Sequence, residues 1–354
     1  MRILICNWKD RAHPRAGGAE VWTHGVASAL VTAGHTVTLA CASVPGRPSV
    51  EHDDGVEIVR GGRERTGVHA HARRLYESRP GRFDLVLDEV NTRPFGAVRW
   101  ARDSRVVAMA HQVAREVWFY ETPLPVALVG RYVLEPRWLR RYRDVLTFTD
   151  SESSRCSLEA YGLRHVRPLP MGSDLGVPRS VPKVRVPTFA WVGRLVPSKR
   201  PDHAVEAFRR AACSLGAVRL RIVGSGPMET ALRRRAGGGV EILGRIPHHA
   251  RDHVVGSAHA LLVTSVREGW GLVVSEAAAL GTPSIAYAVP GLVDSVAACG
   301  GRLVDPDPEA LAAAMVDAVA RRSLPAPTGH GTVPWSTVAT ALLDQVAAAE
   351  SGRA

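Results

Sequence analysis

Short runs of apolar residues alternate with longer amphipathic stretches along the whole chain. In the first half these runs are rich in Val, Ile and Leu without polar alternation, which is typical of strands buried on both faces of a parallel sheet. They predict strands at residues 2–6, 36–41, 56–59, 84–87, 106–109 and 145–148. The stretches between them predict helices, for example at residues 19–33, so this half is interpreted as a series of β-α-β units.

The pattern weakens at residues 169–187, where glycine and proline replace the periodic apolar positions. Such a stretch is typical of a linker between domains. A second series of buried strands follows, predicted at residues 188–192, 219–223, 240–243, 260–263 and 284–286. We therefore expect an α/β protein with two doubly wound domains, at residues 1–170 and 188–325, and a detached helix at 335–350.

Two domains of this kind are expected to face a central cleft, because ligands of open α/β sheets bind beyond the carboxyl ends of the strands. The composition agrees with a globular protein of this size, since 354 residues are 45% hydrophobic and 22% charged. The N-terminal apolar run is too short for a signal peptide, and no run of 18 apolar residues occurs. A cytoplasmic location is predicted.

The net charge of the chain limits the possible classes of binding partner only slightly. The formal net charge of +11 favours anionic partners, which include phosphorylated small molecules, nucleic acid and anionic lipid. Nucleic-acid binding is not expected, because the chain has neither aromatic platforms nor a recognised motif for it. The five cysteines are scattered and include no C-x-x-C pair, which argues against a disulfide framework and against a zinc site.

Residues 264–283 carry the strongest chemical signal. They follow a predicted strand, cross a glycine-containing loop and enter a predicted helix near Leu272, so that Glu268 lies on the loop and Glu276 about one turn inside the helix. The free N–H groups near Gly271 and Leu272, together with the helix dipole, would attract a phosphate group. This arrangement suits a nucleotide sugar, whose sugar hydroxyls would meet Glu268, its diphosphate the helix start and its ribose Glu276. Two ordinary solvated glutamates are the alternative interpretation.

A basic loop follows the first strand of the second half. Its sequence includes Arg194 and Lys199, which are expected to converge at the carboxyl edge of the sheet. Arginine offers phosphate a two-pronged donor, and lysine offers a mobile point charge. The loop is interpreted as a phosphate site, and an ordinary basic loop between a strand and a helix is the alternative.

Two elements of the first half complete the candidate site. Gly17 and Gly18 open the first predicted helix, where glycine lets the backbone approach a diphosphate closely. His111 follows a predicted strand and would donate a hydrogen bond to a donor-sugar hydroxyl. The alternatives are a plain turn for the glycine pair and a structural role for the histidine.

Three further patterns are interpreted as structural. The Gly224-Ser225-Gly226-Pro227 turn lacks the third glycine of a dinucleotide fingerprint. Asp307 precedes a helical pattern and is expected to cap it. The arginine-rich residues 131–143 are interpreted as a solvated basic face, with weak peripheral contact with anionic lipid left open.

Together these motifs resemble glycosyltransferase family 4, the retaining group of the two-domain GT-B class. The resemblance rests on Glu268 and Glu276 as an E-x7-E motif, and on the basic loop, the two glycine motifs and His111. It implies that Arg194 and Lys199 bind the donor diphosphate, that Gly17 and Gly18 lie against the phosphates, and that His111 lies near the donor sugar. It also implies that Glu268 holds the sugar, that Glu276 binds the ribose, and that the backbone at Arg245 and Ile246 packs the base.

The expected activity is transfer of a sugar from a nucleotide-diphosphate sugar to a hydroxyl acceptor with retention of configuration. The leaving phosphate would assist in deprotonating the acceptor. Arg194, Lys199 and the helix start near Leu272 would stabilise the leaving group, so neither a metal nor a cofactor is expected. A GT-B-like sugar-nucleotide epimerase is the alternative function. The base, the sugar, the acceptor and the oligomeric state are left open.

Overall fold

The computed structural model describes residues 1–64, 66–174, 181–320 and 324–351. Part of the predicted linker, residues 175–180, lies outside the described residues. The chain divides into two compact units, each of which is described by itself. The first comprises Met1–Arg115, Val129–Asp174 and Thr332–Ala354, and the second comprises Glu116–Leu128 and Leu175–Gly331.

An eight-stranded sheet forms the centre of the first unit, in the order β3-β4-β2-β1-β5-β6-β7-β8. The strands are β1 Arg2–Cys6, β2 Thr36–Cys41, β3 Val50–Asp53, β4 Val56–Arg60, β5 Leu85–Glu89, β6 Arg105–Met109, β7 Thr147–Thr149 and β8 Val166–Pro168. Every neighbouring pair is parallel except β3 with β4, which form an antiparallel hairpin at the edge. Strand order reverses between β1 and β5, and ligands of such sheets bind at this reversal.

Helices cover the sheet of the first unit. They are α1 Gly18–Thr32, α2 Val68–Glu77, α5 Glu135–Leu139 and α6 Glu152–Glu159. The intervening helices, α3 Trp118–Glu121 and all but the last residue of α4 Leu124–Val129, belong to the second unit. Between α4 and α5 the chain continues as one turn of π-helix at Gly130–Leu134. Apolar residues of β1 and β5 are fully buried, as their uninterrupted hydrophobic runs predicted.

The last helix of the chain, Trp335–Ser351, packs against α1 in the first unit. The indole ring of Trp335 is only 8% exposed. It lies against Gly25 and Gly172, and a β-carbon on either glycine would collide with the ring. The packing of Trp335 against these two glycines fixes the position of the first turn of the helix, because a ring of that size fits only where Gly25 and Gly172 have no side chains.

The second unit is built around a six-stranded parallel sheet in the order β11-β10-β9-β12-β13-β14. Its strands are β9 Thr188–Val192, β10 Arg219–Val223, β11 Val240–Gly244, β12 Ala260–Val263, β13 Ser284–Tyr287 and β14 Gly301–Val304. Its helices are α7 Pro201–Leu215, α8 Glu229–Arg235, α9 His248–Ser257, α10 Leu272–Ala279, α11 Leu292–Cys299 and α12 Pro308–Ala320. Strand order reverses between β9 and β12, so the loops that follow these two strands flank the ligand position of a Rossmann-like sheet.

The cysteines are not paired with one another in the described structure. Each of the five, all within the described residues, is a free thiol, and Cys6, Cys41 and Cys299 are buried. Among the helices that the structure describes, none has both the length and the apolar character needed to cross a membrane.

Candidate active site

The loop between β9 and α7 presents the basic residues of the second unit. One turn of 3-10 helix at Pro197–Lys199 reverses the chain before α7 begins. Thr264, at the end of β12, holds this turn, because its hydroxyl lies 2.8 Å from the carbonyl oxygens of both Lys199 and Arg200. The two loops at the reversal of strand order are therefore tied together.

Lys199 and Glu268 meet between these two loops. The Lys199 ammonium forms an ion pair with the Glu268 carboxylate, and both side chains are mostly buried. The hydroxyl of Ser265 donates to the same carboxylate at 2.6 Å. The backbone N–H of Glu268 donates to the carbonyl oxygen of Pro290 at 3.0 Å, which fixes the loop from its other side. The carboxylate is thus held in one place by a charge, a hydroxyl and its own backbone.

Helix α10 begins at Leu272, where the sequence predicted its start. Its N-cap is Gly271, which has left-handed backbone with φ of +98° and provides no capping side chain. A β-carbon at Gly271 would also come within 2.7 Å of the Leu292 side chain, so both backbone and packing require glycine there. A helix start without a side-chain cap leaves its first N–H groups available to an anion.

Glu276 lies on the second turn of α10 and is engaged by a neighbouring helix. Its carboxylate oxygen is 3.3 Å from a guanidinium nitrogen of Arg251 on α9, and its side chain is 30% exposed. Burial raises the pKa of Glu276, and Arg251 acts in the opposite direction. The carboxylate is therefore ordered and still reachable from solvent, as a ligand for ribose hydroxyls must be.

The remaining predicted residues of the second unit stay predictions. Arg194 is exposed, and its guanidinium forms no hydrogen bond or ion pair within the described residues. Arg245 is exposed on the turn after β11, and Ile246 packs partly against the core of the unit. The structure brings Lys199, Glu268 and the start of α10 together in one group of loops.

In the first unit, His111 lies just beyond β6 with a carboxylate on each side. Its Nδ1 is 2.8 Å from Asp150, and its Nε2 is 3.6 Å from Glu89, which is too long for a hydrogen bond. Burial alone would lower the pKa of His111, but the negative charges of Asp150 and Glu89, together with the hydrogen bond to Asp150, outweigh burial and raise that pKa to about 10. His111 is therefore an imidazolium at neutral pH, and its buried Nε2 has no hydrogen-bond partner in the described part of the chain.

A buried polar network connects His111 to the first helix. Glu89 is fully buried and accepts from the hydroxyl of Thr23 at 2.7 Å, and Thr23 in turn accepts from the side-chain amide of Asn7. Thr23 is on α1, whereas Asn7 follows β1. The network lies where the strand order of this sheet reverses, which is the ligand position of the first unit.

The glycine pair opens α1, with Gly17 as the N-cap. The buried Glu20 belongs to this helix start, because its carboxylate accepts from the N–H of Gly17 at 2.6 Å and pairs with Lys9 at 3.2 Å. Gly17 has extended backbone, and a β-carbon there would meet no atom closer than 3.8 Å. Neither the backbone conformation nor the packing of the fold requires glycine at this position. The prediction that a ligand approaches the backbone here therefore remains a reason for the glycine.

Sequence reasoning missed the part that helix α3 plays in the second unit. The carboxylate of Glu121 accepts a hydrogen bond from the hydroxyl of Ser198, and the phenol of Tyr120 accepts one from Arg200 at 2.6 Å. The guanidinium of Arg200 also lies over the Tyr120 ring, 5.1 Å from its centre. These contacts brace the turn that carries Lys199. Nothing in the sequence signals them, because the partners are about 80 residues apart.

Two of the three patterns set aside as structural, the glycine turn at Gly224 and the residue Asp307, behave as predicted. A β-carbon at Gly224 would collide with the carbonyl group of Gly193, so that glycine serves the packing of two loops. The carboxylate of Asp307 accepts from the N–H groups of Glu309 and Ala310 at 2.8 and 3.0 Å and thereby caps α12.

One cluster among the described residues has the composition of a metal site. Ligand atoms of His24, Asp53 and Asp54 lie within 4.8 Å of one another in the first unit. Arg11 forms ion pairs with both aspartates, and His24 lies 2.9 Å from Asp54. We therefore interpret the cluster as a group of ion pairs rather than a metal site, because the guanidinium of Arg11 already neutralises both carboxylates.

Comparison with known proteins agrees with this geometry. Residues 16–177 match the model of the family "Glycosyltransferase Family 4", and residues 186–321 match that of "Glycosyl transferases group 1". A GDP-mannose-dependent alpha-(1-6)-phosphatidylinositol dimannoside mannosyltransferase from Mycobacterium tuberculosis is 28% identical over 334 residues, which are 87% of this chain and 85% of that protein.

Solved structures show the same fold. The sucrose-phosphate synthase of Thermosynechococcus elongatus has a TM-score of 0.74 at 21% identity and covers 99% of this chain and 97% of its own. The HepE protein of Anabaena, solved with UDP-glucose, has a TM-score of 0.69 at 16% identity over 98% of this chain and 95% of its own.

The two largely parallel α/β sheets, together with these matches, identify a glycosyltransferase of the GT-B class that uses a nucleotide-sugar donor. The chain belongs to glycosyltransferase family 4: its first half matches the model that carries this name, and its second half matches the model of the group 1 glycosyl transferases. The matched proteins are transferases, and they give the epimerase alternative no support.

Proposed function

We propose that the protein transfers a hexose from a nucleoside-diphosphate sugar to a hydroxyl acceptor with retention of configuration and without a metal ion. The observation that carries this proposal is the group formed by Lys199, Glu268 and the uncapped start of α10. It offers an ammonium and free N–H groups to a diphosphate, and a fixed carboxylate to the hydroxyls of a sugar.

The reaction breaks the bond between the anomeric carbon and the diphosphate oxygen, and negative charge builds up on the departing diphosphate. Lys199, Arg194 and the first N–H groups of α10 would stabilise that charge, each by about 3 kcal/mol where preorganised. The acceptor oxygen attacks the anomeric carbon from the face that the diphosphate leaves. Its proton passes to an oxygen of the departing phosphate, so no protein nucleophile is needed.

Metal independence rests on the same charges. A divalent ion in a glycosyltransferase serves to neutralise the leaving diphosphate, and here one ammonium, one guanidinium and a helix dipole are assigned that task. Asp307 of the Asp305-Pro306-Asp307 sequence caps α12 and is therefore engaged elsewhere.

The donor is proposed to be held by further contacts. Glu276 would accept hydrogen bonds from the ribose hydroxyls, and the backbone at Arg245 and Ile246 would pack the base. In the first unit, Gly17 and Gly18 would lie near the phosphates. The imidazolium of His111 would donate its Nε2–H, which has no hydrogen-bond partner among the described residues, to an oxygen of the donor. The mycobacterial relative is GDP-mannose-dependent, which makes GDP the first nucleotide to test.

A thermal-shift comparison of GDP, UDP, ADP, CDP and dTDP tests the proposal. The nucleotide that binds the folded protein should raise its Tm, by an amount that grows with concentration. The matching sugar nucleotide is then incubated with candidate acceptors, and NMR of the product reports the anomeric configuration. An inverted product would exclude the retaining mechanism, and a set of nucleotides that leaves Tm unchanged would exclude the donor assignment.

A further inference from the structure

A cavity of about 730 Å³ lies within the first unit, and no residue of the polar network at His111 lines it. Its walls come from three stretches of chain: helix α2, the loop at residues 93–102, and residues 138–141 at the end of α5. This volume lies in the range of small-molecule sites. The cavity takes no part in the donor contacts described above.

Arginine dominates the lining. Five arginines and one glutamate face the cavity, a net charge of +4. The glutamate, Glu77, pairs with Arg73 on the same helix at 2.7 Å. The other four, which form no hydrogen bond or ion pair through their side chains within the described residues, are Arg93, Arg99, Arg102 and Arg141. Unpaired like charges around one cavity repel each other, and a bound anion would offset that repulsion.

The walls are fixed by a buried carboxylate. Asp88, which is fully buried, accepts from the N–H groups of Phe95 and Ala97 at 2.9 Å each. It also accepts from the hydroxyl of Tyr142, next to Arg141. Asp88 thereby ties the loop that carries Arg93 and Arg99 to the segment that carries Arg141, so the backbone of the walls is held in place while the three guanidinium groups themselves are exposed.

Aromatic side chains supply the rest of the surface. Trp100 and Trp138 line the cavity and are partly exposed to it. His69 stacks on Phe95 with ring centres 4.8 Å apart, and burial together with the charge of Arg93 lowers the pKa of His69 to about 4. The cavity thus combines cationic forks with flat apolar faces on which the ring of a sugar or a polyol can rest.

We propose that this arginine-lined cavity binds a phosphate monoester carried on a sugar or polyol ring, at a site separate from the nucleotide-sugar donor. Phosphate fits better than a carboxylate, because several guanidinium forks can each bind two of its oxygens and it carries up to two charges. Such a ring phosphate occurs free in solution and as the headgroup of a phosphorylated lipid, and both share the recognised chemistry.

Calorimetric titration of the full chain with glucose 6-phosphate tests the free form, with glucose as the uncharged probe. Sedimentation with phosphatidylcholine vesicles, with or without phosphatidylinositol 4-phosphate, tests the headgroup form. Arg99→Gln/Arg141→Gln should weaken binding of the recognised form by about tenfold or more, since hydrogen bonds to charged groups are lost. The control Arg74→Gln/Arg140→Gln removes the same charge from exposed neighbours outside the cavity and should change Kd by less than about twofold.

Binding in either form that depends on Arg99 and Arg141 supports the proposal, and the form that binds identifies the source of the phosphate. Equal weakening by both double variants would overturn it, since that outcome reports net charge alone. Absence of binding in both forms, or glucose binding as tightly as glucose 6-phosphate, would also overturn it. Nucleotide-induced shifts in Tm, measured on each variant, verify that the protein is folded and that its donor site is intact.

Discussion

Lys199 and Glu268 form an ion pair although 69 residues separate them in the chain. They are brought together because the loops after β9 and β12 adjoin where the strand order of the second sheet reverses. Without a donor the ammonium and the carboxylate neutralise each other, and the ion pair holds both side chains where the donor would bind. A bound diphosphate would attract the ammonium and leave the carboxylate free to accept hydrogen bonds from the sugar.

Replacing Lys199 by alanine should lower kcat by about a hundredfold or more, because the leaving diphosphate loses a preorganised cation. Steady-state kinetics with the donor identified by thermal shift measures this change. Arg209→Ala removes a cation that is 62% exposed on α7 and should leave kcat within about twofold. Near-normal turnover of the Lys199→Ala enzyme would exclude the leaving-group role.

Replacing Glu276 by glutamine should raise Kd for the nucleoside diphosphate by about tenfold, since hydrogen bonds from ribose to a charged carboxylate contribute about 1.5–3 kcal/mol. Calorimetry with the nucleotide measures the change. Glu229→Gln is the matched control, because Glu229 is also 30% exposed and paired with an arginine. Equal affinities of the two variants would contradict the ribose role.

The charge state of His111 gives a prediction about pH. Its pKa is raised from 6.5 to about 10, so the ion pairs with Asp150 and Glu89 stabilise the fold fully below pH 6.5, and this contribution is lost as the pH rises through about 10. The imidazole NMR signals of His111 should therefore not titrate between pH 5 and 8. The unfolding free energy of wild type relative to His111→Gln should therefore fall between about pH 6.5 and pH 10 and become constant above that. A midpoint near pH 6.5 would show that the carboxylates do not hold the proton.

Transferase activity should survive treatment with EDTA and dialysis, because the charge on the leaving group is assigned to protein groups. Activity with and without added magnesium is measured on the same preparation. Complete loss that magnesium restores would show that a divalent ion carries out that task.

Because the ring of Trp335 is buried, its removal is predicted to lower the stability of the protein strongly. Trp335→Ala should lower the free energy of unfolding by about 3 to 5 kcal/mol, as expected for removing a buried aromatic ring. Urea denaturation followed by circular dichroism measures the change. Val21→Ala, on the exposed side of α1, should cost less than about 0.5 kcal/mol. If both substitutions cost the same, the last helix does not depend on this ring.

The local sequence pattern predicted secondary structure well wherever one kind of residue dominates a segment. The uninterrupted apolar runs predicted the strands of both sheets to within about two residues, and the glycine loop before Leu272 located the start of α10. The strands at Val50–Asp53, Val166–Pro168 and Gly301–Val304 were missed. They are three or four residues long and all three lie at sheet edges, where half-buried positions leave no strong hydrophobic signal.

The sequence by itself determined the two sheets, the glycine turn at 271 and the order of the charged loops, because these follow from local hydrophobicity and backbone preference. Only the tertiary structure decided that Lys199 meets Glu268, that Tyr120 braces Arg200, and that Asp88 ties together the walls of an arginine-lined cavity. Each of these relationships joins residues far apart in the chain. Side-chain chemistry says which groups attract, but strand order and packing decide which of them come within reach.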